Sequence, residues 1–142
     1  MKKLMMLICM MTIICASTTF GYGAVVQEPS VEPAYIGTFV HSESFTEGTG
    51  AALIPKVYLK PKTADSFDKV VIRLQIVKTS TGTEYYDKSF TTYYDSTRRW
   101  FMKTVTFTAP SKGTYRLNTT YKCYKDGDLI ETIKGVAKTA TY

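Results

Sequence analysis

The feature that most constrains the fold is a pair of strand patterns joined by an Asp-Gly turn near the C-terminus. Across residues 114–124, apolar and polar side chains alternate with period two, as in a strand with one buried face. Asp126 and Gly127 can supply the positive φ angles that a tight hairpin turn needs. A second strand pattern covers residues 129–142, and its apolar parity changes at Gly135, where we expect a β-bulge. The pattern therefore predicts a long closing hairpin.

Alternation assigns the buried face of this hairpin. We expect these side chains to point inward: Tyr115, Leu117, Thr119, Tyr121 and Cys123 on the first strand, and Leu129, Ile133, Val136 and Ala140 on the second.

The turn before the hairpin has the residues of a known corner in immunoglobulin-like sandwiches. There a Tyr lies two residues before the second core cysteine and its hydroxyl bonds back to the backbone. After Gly113, a turn glycine, Tyr115 takes that position and Leu117 stands in place of the cysteine. The alternative, that Tyr115 is only a core aromatic, predicts the same fold.

Five further strand patterns precede the hairpin. They cover residues 35–41, 51–60, 69–79, 84–94 and 100–108, while the polar segment 42–50 reads as a loop. With the hairpin they predict an all-β fold, a seven-stranded antiparallel immunoglobulin- or fibronectin-III-like β-sandwich. In immunoglobulin lettering, strands A, B and E would form one sheet and strands C, C′, F and G the other.

The N-terminus has the pattern of a secretory signal peptide. Lys2 and Lys3 precede an apolar run and then a small polar segment, so we expect cleavage after Gly23 or Ala24. An uncleaved anchor and a lipoprotein signal are the alternatives. The chain thus divides into a signal peptide (1–24), an extended leader (25–33) and one sandwich domain (34–142), with no transmembrane segment once the signal is removed.

Loss of the signal peptide changes the charge and the cysteine count. The chain has 18 Lys and Arg, of which 16 would remain, and all 12 acids, for a net charge of +4. This charge is too small and too scattered to indicate nucleic-acid binding. Cys123 is the one cysteine left, and its parity favours a buried thiol over an intermolecular bridge.

The residues of common catalytic and metal sites are scarce. His41 is the single histidine, and we expect it at a surface or an edge. One His and Cys123 are too few for zinc, and the residues around Asp126 lack the calcium-loop spacing. Carboxylate pairs occur only in predicted loops, as Asp65 with Asp68 and Glu43 with Glu47. The sequence therefore predicts a non-enzyme with no catalytic residues, no metal and no cofactor.

Aromatic side chains are the best candidates for ligand binding. Tyr or Trp on an exposed sheet face can stack on sugar rings or form protein interfaces. The candidates are Tyr86, Tyr94, Trp100 and Tyr124, with Arg73, Lys122 and Lys134 on the same predicted faces. The alternative is that Tyr and Thr are ordinary cross-strand partners on solvated faces.

Four C-terminal motifs carry a family resemblance. They are Lys-Gly-x-Tyr-Arg at 112–116, Tyr-Lys-x-Gly at 124–127, Glu-Thr-Ile at 131–133 and Lys-Thr-x-x-Tyr at 138–142. With the Lys-Lys signal peptide, they make the chain resemble a family of uncharacterised small secreted proteins of Firmicutes, notably Clostridia. The resemblance implies a secreted immunoglobulin-like domain and carries over no catalytic residue.

These observations predict a secreted, non-enzymatic binding protein whose partner is a cell-wall glycan, another carbohydrate or an extracellular protein. A secreted basic effector, similar to a toxin or bacteriocin, is the alternative. A hydrolase that uses paired carboxylates is a third class.

Overall fold

The computed structural model describes residues 36–142, in which strands are the regular elements. They are β1 (Thr38–Glu47), β2 (Ala52–Pro61), β3 (Lys69–Lys78), β4 (Glu84–Thr92), β5 (Phe101–Thr104), β6 (Phe107–Thr108), β7 (Thr114–Lys125), β8 (Asp128–Lys134) and β9 (Lys138–Thr141). The predicted signal peptide and leader lie outside this range. Within it, no helix is long and apolar enough to span a membrane.

The strands form two antiparallel sheets, which confirms the predicted all-β sandwich. In the first sheet β2 pairs with β1 on one edge and with β5 and β6 on the other. The second sheet has the order β4-β3-β7, and both β8 and β9 pair with β7. This is the predicted division into A, B, E and C, C′, F, G, except that strands E and G are each interrupted.

The core lies between the sheets because β3 and β7 alternate as their sequences predict. Val70, Ile72, Leu74 and Ile76 are fully buried, and their partners on β7 are buried as well. Burying one such aliphatic side chain contributes about 1.5–3 kcal/mol. Cys123 is also fully buried and is a free thiol, which confirms its predicted place in the core.

The β7–β8 turn confirms the predicted hairpin. Asp126 and Gly127 have φ angles of 52° and 94°, both in the left-handed region that a primed turn requires. Asp68 holds the turn from outside, since its carboxylate accepts hydrogen bonds from the Asp126 amide and from Lys125 Nζ, the latter at 2.8 Å. The turn is therefore fixed to the loop before β3.

The predicted tyrosine corner is present. The Tyr115 hydroxyl donates a hydrogen bond of 2.7 Å to the backbone oxygen of Ser111, and both Tyr115 and Leu117 are fully buried. Gly113, with a φ of 144°, exchanges two backbone hydrogen bonds with Tyr142. The corner thus ties the start of β7 to the end of the chain.

The first strand is longer than its sequence predicts. Residues 42–47 were expected in a loop, but they continue β1 in register with β2 as far as the pair Glu47 and Leu53. β1 is an edge strand, and its outward side chains meet solvent, so polar residues are tolerated there. Inward, Glu43 and Phe45 are buried.

The end of the last hairpin also differs from expectation. Leu129 and Val136 were expected inside but are 51% and 60% exposed. Residues 135–137 interrupt the strand rather than adding a bulge, and the Gly135 amide donates to the Thr119 oxygen. A register shift beside Tyr124 turns Leu129 outward, and the buried parity resumes only at Ala140.

Candidate functional site

Two buried glutamates join β1 to the last hairpin. Glu131, on β8, accepts hydrogen bonds from the Ile36 amide at 3.0 Å, the Gly37 amide at 3.4 Å and the Thr38 hydroxyl at 2.9 Å. Both carboxylate oxygens are engaged in this way, and the side chain is shielded from solvent. A buried carboxylate needs such partners, because an unpaired one costs several kcal/mol. Glu131 is therefore a structural clamp.

Glu43 makes the matching contact from β1. Its carboxylate accepts hydrogen bonds from the Tyr121 hydroxyl at 2.8 Å and the Val136 amide at 3.2 Å, and it lies 2.9 Å from His41 Nδ1. Burial and the neighbouring carboxylate raise the pKa of Tyr121 well above its usual range, so the phenol stays a donor. Gly135 leaves room for this carboxylate, since a Cβ there would lie 2.5 Å from Glu43 Oε1.

The sequence pattern did not indicate either of these buried carboxylates. It placed Glu43 in a loop as part of a carboxylate pair with Glu47, which lies exposed at the end of β1. The parity that Glu43 shares with Phe45, and Glu131 with Ile133, was the available indication that both acids point inward. His41 lies on an edge strand as expected, but its side chain is only 12% exposed.

The four predicted aromatic residues do not form one face. Tyr86 was expected to point outward, but it pairs with Ile76 and packs edge-on against Phe107, 6.0 Å away. This partial burial raises the pKa of Tyr86. The expectation failed because β4 is an edge strand with apolar residues of both parities, so period two does not choose its buried face.

The other three lie on separate parts of the sandwich. Tyr94 packs on the core residue Phe101 at 5.8 Å, and Trp100 packs on Tyr58 at 4.8 Å on the outer side of the first sheet. Tyr124 is half-buried on the outer side of the second sheet, with Lys69 Nζ 5.1 Å from its ring centre. Tyr94 and Tyr124 each line a concave surface, whereas Trp100 lines neither.

We call the concavity at Tyr124 the polar cleft. It encloses about 170 Å³ on the outer side of β4, β3 and β7 and is lined by Val71, Arg73, Ser89, Thr120, Lys122 and Tyr124. Arg73 and Lys122 thus lie beside Tyr124, as the sequence predicted. Lys134 is on the same sheet face, opposite Thr120.

Hydrogen bonds hold the side chains around the polar cleft. Arg73 binds the Asp87 carboxylate through both Nε, at 2.7 Å, and NH2, and this contact lowers the pKa of Asp87. Two residues further along β3, the side-chain amide of Gln75 donates a hydrogen bond to the Glu84 carboxylate and accepts one of 3.3 Å from the Asn118 side chain. The surface therefore presents planar polar groups whose orientations are set before a ligand arrives.

We call the concavity at Tyr94 the basic cleft. It encloses about 490 Å³ and is lined by residues 60–64, Tyr94 and Arg99. Lys60, Lys62 and Arg99 supply three cations, and none of the lining residues within 36–142 is a carboxylate. The sequence indicated Tyr94 but not these cations, which come from the end of β2 and from the β4–β5 connection.

The structure brings together few of the residues that metal or acid–base chemistry needs. Among residues 36–142, no group of three His, Cys, Asp or Glu side chains is placed to hold a metal ion. Asp68 anchors the hairpin turn, and the pKa of Asp65 is lowered chiefly by a hydrogen bond with Thr63.

Comparisons with known proteins match the fold only distantly. Neither a protein-family model nor a curated protein matches the chain. Several solved structures are similar in fold, including the following three. A family 76 glycoside hydrolase from a bovine Bacteroides thetaiotaomicron strain is 10% identical, with a TM-score of 0.45 over 75% of this chain. This chain spans only 20% of that hydrolase.

The other two are smaller domains. A carbohydrate-binding module family 56 β-1,3-glucan binding domain is 10% identical, with a TM-score of 0.35 over 70% of this chain and 96% of its own. The CARDB domain of a Pyrococcus furiosus protein, in complex with di-metal ions, is 18% identical. Its TM-score is 0.39 over 72% of this chain and 79% of its own. At these TM-scores, none of the three likenesses identifies a function for this chain.

Proposed function

We propose that this chain is a secreted, non-enzymatic β-sandwich protein that binds a glycan in the polar cleft. The observation that carries the proposal is the half-buried ring of Tyr124 beside the ion-paired Arg73 in one concavity. An aromatic ring covers the apolar face of a sugar, and adjacent polar groups bond its hydroxyls.

Pre-ordered polar groups suit a sugar because each hydroxyl both donates and accepts hydrogen bonds. In the polar cleft, Arg73 and Lys122 donate, while Ser89 and Thr120 can do either. Because Asp87 already holds Arg73, a ligand would not have to order that side chain, and the entropic cost of binding falls.

The absence of acid–base groups from the cleft supports a binding role over hydrolysis. None of its six lining residues is Asp, Glu, His or Cys. Asp87, which pairs with the lining residue Arg73, is engaged by that contact, and the buried Glu43 and Glu131 accept hydrogen bonds from other strands. A carboxylate pair facing a bound sugar, as glycoside hydrolysis requires, is not formed by these residues.

Export and family membership belong to the same proposal. Secretion is supported by the basic, apolar and small-residue pattern of residues 1–24. The resemblance to small secreted proteins of Firmicutes is supported by the motifs at 112–116 and 131–133, which include Tyr115 of the corner and Glu131 of the clamp.

The experiment that tests glycan binding is retention of residues 25–142 on insoluble polysaccharides and on peptidoglycan. We expect retention that persists at high salt and that falls about fivefold in Tyr124→Ala, the equivalent of about 1 kcal/mol of aromatic contact. Tyr93→Ala is the matched control, since Tyr93 is 70% exposed and lines neither cleft.

Two results would contradict the proposal. One is equal loss of retention in the Tyr124 and Tyr93 variants. The other is no retention on any polymer together with leakage of anionic vesicles, which would replace glycan binding with the basic-effector alternative.

A further inference from the structure

We propose that the basic cleft is a separate site for a saccharide that carries a phosphate group. Lys60, Lys62 and Arg99 line this cleft together with the ring of Tyr94. Its volume of about 490 Å³ lies in the range of small-molecule sites, and the polar cleft is on a different part of the sandwich.

The β4–β5 connection separates the roles of two neighbouring arginines. Asp95 accepts hydrogen bonds from the Thr97 and Arg98 amides and from Arg98 NH1, the last at 2.7 Å. These bonds, led by the one from the Arg98 amide, lower the pKa of Asp95. Arg98 is therefore neutralised within the turn, while Arg99 lines the basic cleft without an ion-pair partner among the described residues.

The backbone at Arg99 is unusual for an arginine. Its φ angle is 62°, in the left-handed region that favours glycine, and its amide donates a 2.7 Å hydrogen bond to the backbone oxygen of Asp95. A glycine would fit this backbone without strain, so the position carries a side chain where the fold does not need one. This points to a role for the guanidinium itself.

Each of the two lysines also contacts a residue that does not line the cleft. Lys60 Nζ lies 5.5 Å from the ring centre of Phe39, and Lys62 Nζ donates a 3.1 Å hydrogen bond to the Ile36 oxygen. The nearby acids, Asp65 and Asp95, interact with Thr63 and Arg98 and do not line the cleft. Among the described residues, the basic cleft is thus lined by three basic side chains and by no acidic one.

Charge and shape together favour a phosphorylated sugar. A phosphate carries up to two negative charges and three acceptor oxygens, which suits a guanidinium fork and two ammonium groups better than a single carboxylate does. Tyr94 supplies an aromatic surface for the attached ring. Inorganic phosphate would use only the cations, and a neutral sugar only the ring.

Calorimetric titration with glucose 6-phosphate, glucose, glucuronic acid and inorganic phosphate tests the proposal. We expect glucose 6-phosphate to bind at least about tenfold more tightly than any of the other three, and more weakly as salt is added. Arg99→Gly should weaken this binding about tenfold while leaving the unfolding midpoint unchanged or higher.

Arg98→Gln is the matched control, because it removes the same charge one residue away and outside the cleft. It should leave glucose 6-phosphate binding unchanged. Tyr124→Ala should also leave this binding unchanged, so a failure of the phosphosugar proposal for the basic cleft can be distinguished from a failure of the glycan proposal for the polar cleft. Equal weakening in the Arg98 and Arg99 variants would overturn the proposal. So would no binding at about 10 mM ligand, or equally tight binding of glucuronic acid or inorganic phosphate.

Discussion

The side chains of Thr38 and Glu131 are 93 positions apart in the sequence and are joined by a hydrogen bond of 2.9 Å. Both side chains are buried. Their hydrogen bond joins β1, an edge strand of the first sheet, to β8, an edge strand of the second sheet. Backbone pairing does not link these two edges within the described residues, so buried carboxylates connect them instead.

Glu131→Ala should lower the free energy of unfolding by about 2–4 kcal/mol, because two amides and the Thr38 hydroxyl lose a charged acceptor. Urea titration followed by tryptophan fluorescence measures the change. Glu47→Ala, at an exposed strand end, is the control and should stay within about 0.5 kcal/mol of the parent. Similar losses in the two variants would show that Glu131 is not a clamp.

Tyr115→Phe should cost about 1 kcal/mol, because it removes only the hydroxyl that donates to the Ser111 oxygen and keeps the buried ring. The measurement is again the free energy of unfolding. Tyr93→Phe, which removes an exposed hydroxyl, should have no effect. An unchanged stability in Tyr115→Phe would mean that the corner is maintained by ring packing alone.

Asp68→Asn should destabilise the chain at neutral pH and lose its effect in acid. The Lys125 ammonium and the Asp126 amide lower the pKa of Asp68 below its usual 3.8, so this carboxylate contributes stability above that value and loses it as the pH falls. Melting temperatures of parent and variant at about pH 7 and about pH 2.5 measure the difference.

Asp128→Asn is the control for Asp68, since it removes a carboxylate next to the same turn without removing the contact between Asp68 and Lys125. A difference between parent and Asp68→Asn that stays constant over the whole pH range would contradict the assignment.

The Cys123 thiol should resist alkylation in the folded chain. Burial raises its pKa to about 12, so at pH 8 only about one molecule in 10,000 carries the thiolate. Mass spectrometry after iodoacetamide treatment should show no modification of Cys123 until urea is added. The raised pKa also means that the thiol's contribution to stability is complete below about pH 9 and is lost as the pH rises towards 12.

Rapid labelling of Cys123 without denaturant would show that β7 opens readily. It would also revive the intermolecular bridge that the sequence left as an alternative.

Local patterns predicted the strands that are buried on one face. Leu117, Tyr121 and Cys123 follow period two, and the Asp126-Gly127 turn and the Tyr115 corner depend on residues close together in sequence. Such features can be read from a short window because backbone geometry fixes them.

What the sequence did not reveal depends on contacts between distant segments. Tyr86 turned inward because an edge strand with apolar residues of both parities takes its facing from the opposite sheet, here Phe107. Glu131 looked like a solvent residue because its donors come from the other end of the domain. The three cations of the basic cleft were missed for the same reason, since Arg99 is far from Lys60 along the chain.

Because the donors to Glu131 are residues 36–38, where β1 begins, and Glu131 itself is in β8, the order of folding is constrained. The start of β1 therefore lacks this contact until the chain as far as β8 is available to fold. The loop that this contact closes is almost as long as the domain, so its entropic cost is met late and the final docking of β1 should limit the folding rate.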